Sequence, residues 1–161
     1  MAELDWIVRT VEYDLWATER TLEAAGALEA PAEAEAHEKL LTILAHVVST
    51  RAVWLGRITG EDAVDPIFPL PLPVEDTRTK LHEVDRAWRG YLATDPDPEG
   101  EIAYTSSEAT RWVSTLREIA EHVFSHGCYH RGQCAMLIRS LGGKPPATDF
   151  IYFSRRAAEG G

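Results

Sequence analysis

Three histidines recur at every fourth position in the stretch His122-Val-Phe-Ser-His126-Gly-Cys-Tyr-His130-Arg131-Gly-Gln133. On a helix this period puts all three imidazoles on one face. Imidazole is a proton carrier and a common metal ligand, and two histidines at i and i+4 can close on one ion. The first and third are about 12 Å apart along the axis, at about 1.5 Å of rise per residue, whereas zinc–nitrogen bonds are about 2.0–2.1 Å. One adjacent pair therefore binds, and the next ligand has to come from another helix. Periodicity leaves His122–His126 and His126–His130 both open, although the second pair adjoins the polar groups of Arg131 and Gln133.

His46 is the histidine outside this stretch that matters most. It lies among Leu40, Ile43, Leu44, Val47 and Val48, so its ring faces the interior or a cleft. Alone it would be a core histidine bonded to a carbonyl; beside an i,i+4 pair it becomes the candidate third ligand. His37 sits among Glu33, Glu35 and Glu38, and His82 between Leu81 and Glu83, and both read as surface residues. Three neutral imidazoles leave coordination positions open, which suits activation of a bound oxygen or sulfur. Zinc fits such a set, and nickel, iron and copper also accept imidazole. Cys128 falls on a different helix face from the histidines, and Cys134 is a weaker candidate four residues beyond His130. Glu12, Asp14, Glu118 and Glu121 read as solvated helix faces. Arg131 either contacts an anionic substrate or braces the fold. No glycine-rich phosphate loop, nucleophile elbow or paired-carboxylate motif is present.

Four helices must position these groups. Leu4, Ile7, Val8, Val11, Leu15, Thr18 and Leu22 keep a 3.6-residue period through a first helix from Glu3 to Ala27, ended by Gly26 and Pro31. A second helix runs from Ala36 to Thr59 and stops at Gly60. Prolines 66, 69, 71 and 73 forbid helix between Glu61 and Val74 and favour an extended run along the bundle. A third helix spans Glu75 to Leu92. Weak alternation over 101–113 predicts a short β-hairpin. Thr115 and Glu118 form a capping box for a fourth helix reaching Leu141, and Asp149–Phe153 reads as an extended apolar tail laid back on the body. The predicted fold is all-α, a four-helix bundle with long crossover connections, in which the second and third helices can run parallel.

Composition bounds the partners. The chain has 161 residues, one domain over 1–161 by size, with 45% apolar and 26% charged residues. A formal net charge of −10 and the absence of a basic stripe argue against nucleic acid. No apolar run approaches the length of a membrane span, and the charged first ten residues do not read as a signal peptide. Two cysteines six apart on one helix are too far apart for a disulfide, which fits a cytoplasmic protein.

The segments Leu116-Arg-Glu-Ile-Ala-Glu-His122 through Gln133 and Leu137-Ile-Arg-Ser-Leu-Gly-Gly-Lys-Pro-Pro, with Tyr13-Asp-Leu-Trp16 and the spacing of His46 and Trp54, resemble the DinB family of metal-binding helical bundles. The resemblance implies a four-helix bundle with a parallel helix pair, commonly a homodimer. It also implies a divalent metal held by His46, His126 and His130, with His122 nearby but not a ligand. Arg51 stands where such proteins often carry an acid, and Thr18 where asparagine is frequent. The activity implied is metal-dependent transfer of a low-molecular-weight thiol, or hydrolysis, on a small-molecule substrate. The alternative is a non-catalytic metal-binding stress-response protein.

Overall fold

The computed structural model describes residues 2–29, 33–61 and 69–156. Pro31 and residues 62–68 of the proline-rich connection, including Pro66, lie outside the described residues. The elements in order are α1 (Ala2–Gly26), α2 (Ala34–Thr59), α3 (Val74–Leu92), β1 (Glu101–Thr105), β2 (Arg111–Thr115), α4 (Leu116–Ser140) and α5 (Phe150–Ser154). The boundaries follow local chemistry. Gly60 closes α2 in the left-handed region at φ 74°, a conformation that costs glycine nothing. Thr115 and Glu118 exchange side-chain and backbone hydrogen bonds at the start of α4, as the predicted capping box requires.

Pairings between side chains fix the helix directions. Glu19 meets Arg78 and His82, while Glu12 meets Arg89, so α1 and α3 are antiparallel. His46 meets His126 and Trp54 meets His122, which makes α2 and α4 antiparallel. Ile7 shares an apolar cluster with Ile119, and Leu22 shares another with Ile138, so α1 runs parallel to α4. The bundle therefore holds two parallel pairs, α1 with α4 and α2 with α3. Each helix packs on two neighbours, and α1 faces α2 across the diagonal.

The interior is layered. One apolar cluster joins Ile7, Val11, Trp88, Leu92, Leu116 and Ile119, and a second joins Leu22, Leu40, Leu44, Leu81, Cys134 and Ile138. Full burial of a leucine or isoleucine here contributes roughly 1.5–3 kcal/mol relative to exposure. Between the clusters lies an ionic layer. Asp14 accepts from Arg51 at 2.9 Å and from Arg131, and the indole N–H of Trp88 donates to the Arg51 carbonyl at 3.0 Å.

The hairpin is antiparallel, with Glu101 opposite Thr115 and Tyr104 opposite Trp112. β1 leans on α2, which makes the hairpin a wall rather than an appendage. The expected extended tail is instead a single helical turn, α5. Its amides find partners locally, Tyr152 N–H to the Asp149 carbonyl and Arg155 N–H to the Ile151 carbonyl. The turn also brings Phe150 and Phe153 to the same side, against the Tyr13 ring at centroid distances of 5.1 and 5.7 Å. An extended run would send residues three apart to opposite faces.

Candidate metal centre

One stripe of α2 carries His46, Thr50, Trp54 and Arg57, at helical spacings of four, four and three. It faces the stripe of α4 that carries His122, His126 and His130. The structure brings His46, His126 and His130 together: one ring nitrogen from each falls in a group within 4.8 Å of one another, which could hold a metal ion. The Nε2 atoms of His46 and His126 are 3.2 Å apart. Ring centroids lie 4.8 Å apart for His46 and His130 and 4.4 Å for His126 and His130. His122 stays outside this group, with its ring against Trp54 and 5.6 Å from that of His126.

The donor set fits a small divalent ion. Four-coordinate zinc with bonds of about 2.0–2.1 Å holds its ligand nitrogens about 3.3 Å apart. The His46–His126 pair already has that spacing, and the widest pair needs to close by no more than about 1.5 Å. Burial, reinforced by His130, His46 and His122, lowers the His126 pKa to about 4. Burial likewise lowers that of His130, against a smaller opposing effect from Gln133. A neutral ring is the form that binds a cation. Gln133 also sets the tautomer of His130: its Oε1 lies 2.8 Å from Nδ1, so Nδ1–H donates and Nε2 is left for a ligand.

The ionic layer beneath these rings corrects one expectation. Asp14 is not on a solvated face but is only 1% exposed. Its two oxygens take one arginine each, Arg51 from α2 and Arg131 from α4. Arg131 thus braces the bundle, and its pKa is raised by the Asp14 carboxylate against the cost of burial. It also donates to the Thr18 hydroxyl at 3.2 Å. Arg51 reaches Asp85 as well, at 3.6 Å. At Gly127, between His126 and Cys128, α4 lies close against this layer: a Cβ there would collide with the Asp14 carboxylate and stand 2.7 Å from the Arg131 guanidinium.

A cavity of about 490 Å³ opens beside the three imidazoles. Trp54 and Thr50 from α2 form one side, and Tyr104, Ser106 and Trp112 from the hairpin form another. The rings of Trp54 and Tyr104 meet edge to face at 5.0 Å. Arg57 lies over both, its guanidinium carbon 4.5 Å from the Trp54 centroid and 5.3 Å from that of Tyr104. Burial pulls the Arg57 pKa down from its usual value. Arginine nevertheless stays charged at neutral pH.

The family model described as the DinB family matches residues 4–160, nearly the whole chain. The chain belongs to the DinB family. Comparison with curated proteins found no match. Within this DinB family protein the two cysteines are free thiols outside the imidazole group. Cys134 is enclosed in the second apolar cluster, where burial pushes its thiol up to about 12. Cys128 faces the Tyr13 hydroxyl and Arg131 instead. His82 is exposed, beside Glu19, and His37 is half-buried at the start of α2. Among the described residues no helix is long and apolar enough to cross a membrane. Sequence reasoning gave Gly127 and Tyr104 no role, placed Asp14 on a solvated face, and took Gln133 only as a polar neighbour of the histidine pair. A signal existed for two of them: Gln133 stands three residues after His130, and Asp14 falls between Val11 and Thr18 on the buried stripe of α1.

Proposed function

We propose that His46, His126 and His130 hold a divalent metal ion, zinc first and nickel or iron as alternatives, and that the protein is a metal-dependent enzyme acting on a small molecule. Two reactions suit the site: transfer of a low-molecular-weight thiol to an electrophile, and hydrolysis. The observation that carries the proposal is the convergence of three ring nitrogens, with no fourth histidine, cysteine or carboxylate donor among the described residues, on the wall of a cavity of about 490 Å³. A bound ion would supply Lewis-acid chemistry there, lowering the pKa of a thiol or water that reaches it.

The chain's own residues do the rest. Gln133 keeps His130 oriented, and the Asp14–Arg51–Arg131 layer holds α1, α2 and α4 at the spacing the three rings need. Trp54, Tyr104 and Trp112 provide apolar walls that orient a substrate body and limit water around it. A protein that only stores or senses metal has no need of such a cleft, which favours the enzyme over the non-catalytic stress-response alternative. A homodimer in the cytoplasm completes the proposal, and sedimentation of the purified protein checks its assembly.

Metal content of the wild type, His46→Ala and His122→Ala is the deciding measurement. One metal per chain is expected, lost in His46→Ala and kept in His122→Ala. Turnover of thiols with an electrophile panel, and of esters, then follows on the loaded protein. Metal that is absent after loading, or indifferent to His46, overturns the site; a loaded protein inert on every panel overturns the enzyme.

A further inference from the structure

The cleft has the opposite electrostatic character to the protein around it. The chain carries a formal net charge of −10, yet among the described residues no aspartate or glutamate lines the cavity. Its basic lining consists of the four histidines and Arg57. Other arginines are matched to acids: Arg51 and Arg131 to Asp14, Arg78 to Glu19, Arg89 to Asp85 and, on the surface, Arg117 to Glu99. Arg57 has no carboxylate partner among the described residues. It is held by the faces of Trp54 and Tyr104 instead. A guanidinium held over aromatic rings by cation–π attraction keeps N–H groups available, and these can grip a carboxylate through two parallel bonds.

We infer that Arg57 is the specificity-determining residue of the cleft: it takes the carboxylate of an elongated substrate whose planar or apolar body lies along Trp54, Tyr104 and Trp112. What happens at the substrate's other end, by the histidines, rests on the metal-enzyme proposal; the anion recognition does not. The shape requirement follows from α2. His46 and Arg57 are eleven residues apart, about 16 Å along the axis at about 1.5 Å per residue, and a helical side chain leans back by part of that distance. A ligand that engages both ends is therefore longer than a simple short-chain acid. A negatively charged protein repels anions from most of its surface, so a fixed cation beside apolar walls selects strongly for them here.

Calorimetric binding of 4-phenylbutyrate and of its neutral amide, 4-phenylbutanamide, tests this on the full chain as purified and again after chelation. Wild-type protein is expected to favour the carboxylate by about tenfold to a hundredfold, the span of one charge-assisted interaction, and to keep that preference after chelation. Arg57→Gln should abolish the preference while leaving amide binding and metal content unchanged, and Arg57→Lys should retain part of it. Arg139→Gln, an exposed arginine near the end of α4, controls for net charge and should behave as wild type. A preference that survives in Arg57→Gln, or that vanishes on chelation, overturns the inference, as does failure of the carboxylate to bind. Metal content reads the other proposal separately: an Arg57-dependent preference in a protein that never takes up metal leaves anion recognition standing and the metal enzyme refuted.

Discussion

Gln133 decides which nitrogen His130 offers. With Nδ1–H committed to the Gln133 Oε1 at 2.8 Å, only Nε2 remains for coordination, and the ring cannot swing away without breaking that bond. Such outer partners are typically worth about 10–100-fold in metal affinity. Gln133→Ala is accordingly expected to weaken zinc binding by about that factor in competition with a chromophoric chelator, with little change in urea stability. Unchanged affinity would mean that packing alone holds the ring. Gln133→Glu, which keeps the acceptor, should stay near wild type and shows whether the acceptor is what counts.

Helix α4 carries the histidines to α2 only because it also packs tightly over the ionic layer. Two glycines on that helix separate the causes. Gly132 has open space where a Cβ would go, so Gly132→Ala should stabilise by about 0.5–1 kcal/mol through helix propensity. Gly127 has the Asp14 carboxylate in that space, and overpacking of this kind costs about 1–3 kcal/mol. Urea unfolding of the two variants should therefore give shifts of opposite sign, and a stabilised Gly127→Ala would contradict the close packing. Asp14→Asn goes further, leaving two buried guanidinium groups short of their counter-charge, and is expected to cost about 3–5 kcal/mol. The histidine stripe of α4, the capping box and the glycine stop of α2 were all legible in the sequence, because each depends on spacing within one helix. The ionic layer was not. A single aspartate on an acidic chain looks solvated until Arg51 and Arg131, 37 and 117 residues away, are seen to meet it. The meeting of Arg57 with the Tyr104 ring from the hairpin was hidden for the same reason, and the aromatic run of α5 gave no period with which to tell a helical turn from an extended tail.

At the scale of the whole molecule, the candidate centre joins helices that nothing nearby in sequence connects. His46 is on α2 and His126 and His130 are on α4, a pair antiparallel in space and separated in the chain by α3 and the hairpin. The approach of three imidazoles is unfavourable once any of them is protonated, and burial has already driven His126 towards the neutral form. The folded bundle thus presents a set of neutral nitrogen donors that a cation would bind. Binding to the folded state alone stabilises by about 4 kcal/mol at a thousandfold excess over Kd. For a chain of this size that raises the midpoint of thermal unfolding by on the order of 10 °C. Thermal melts with zinc, after chelation, and with zinc restored should show this gain, its loss and its return. The gain should disappear in His46→Ala, which leaves α4 its pair but removes the link to α2, and persist in His122→Ala. A zinc-dependent shift that survives His46→Ala would place the ion on α4 alone, and the cross-helix clamp would then be wrong even if the protein binds metal.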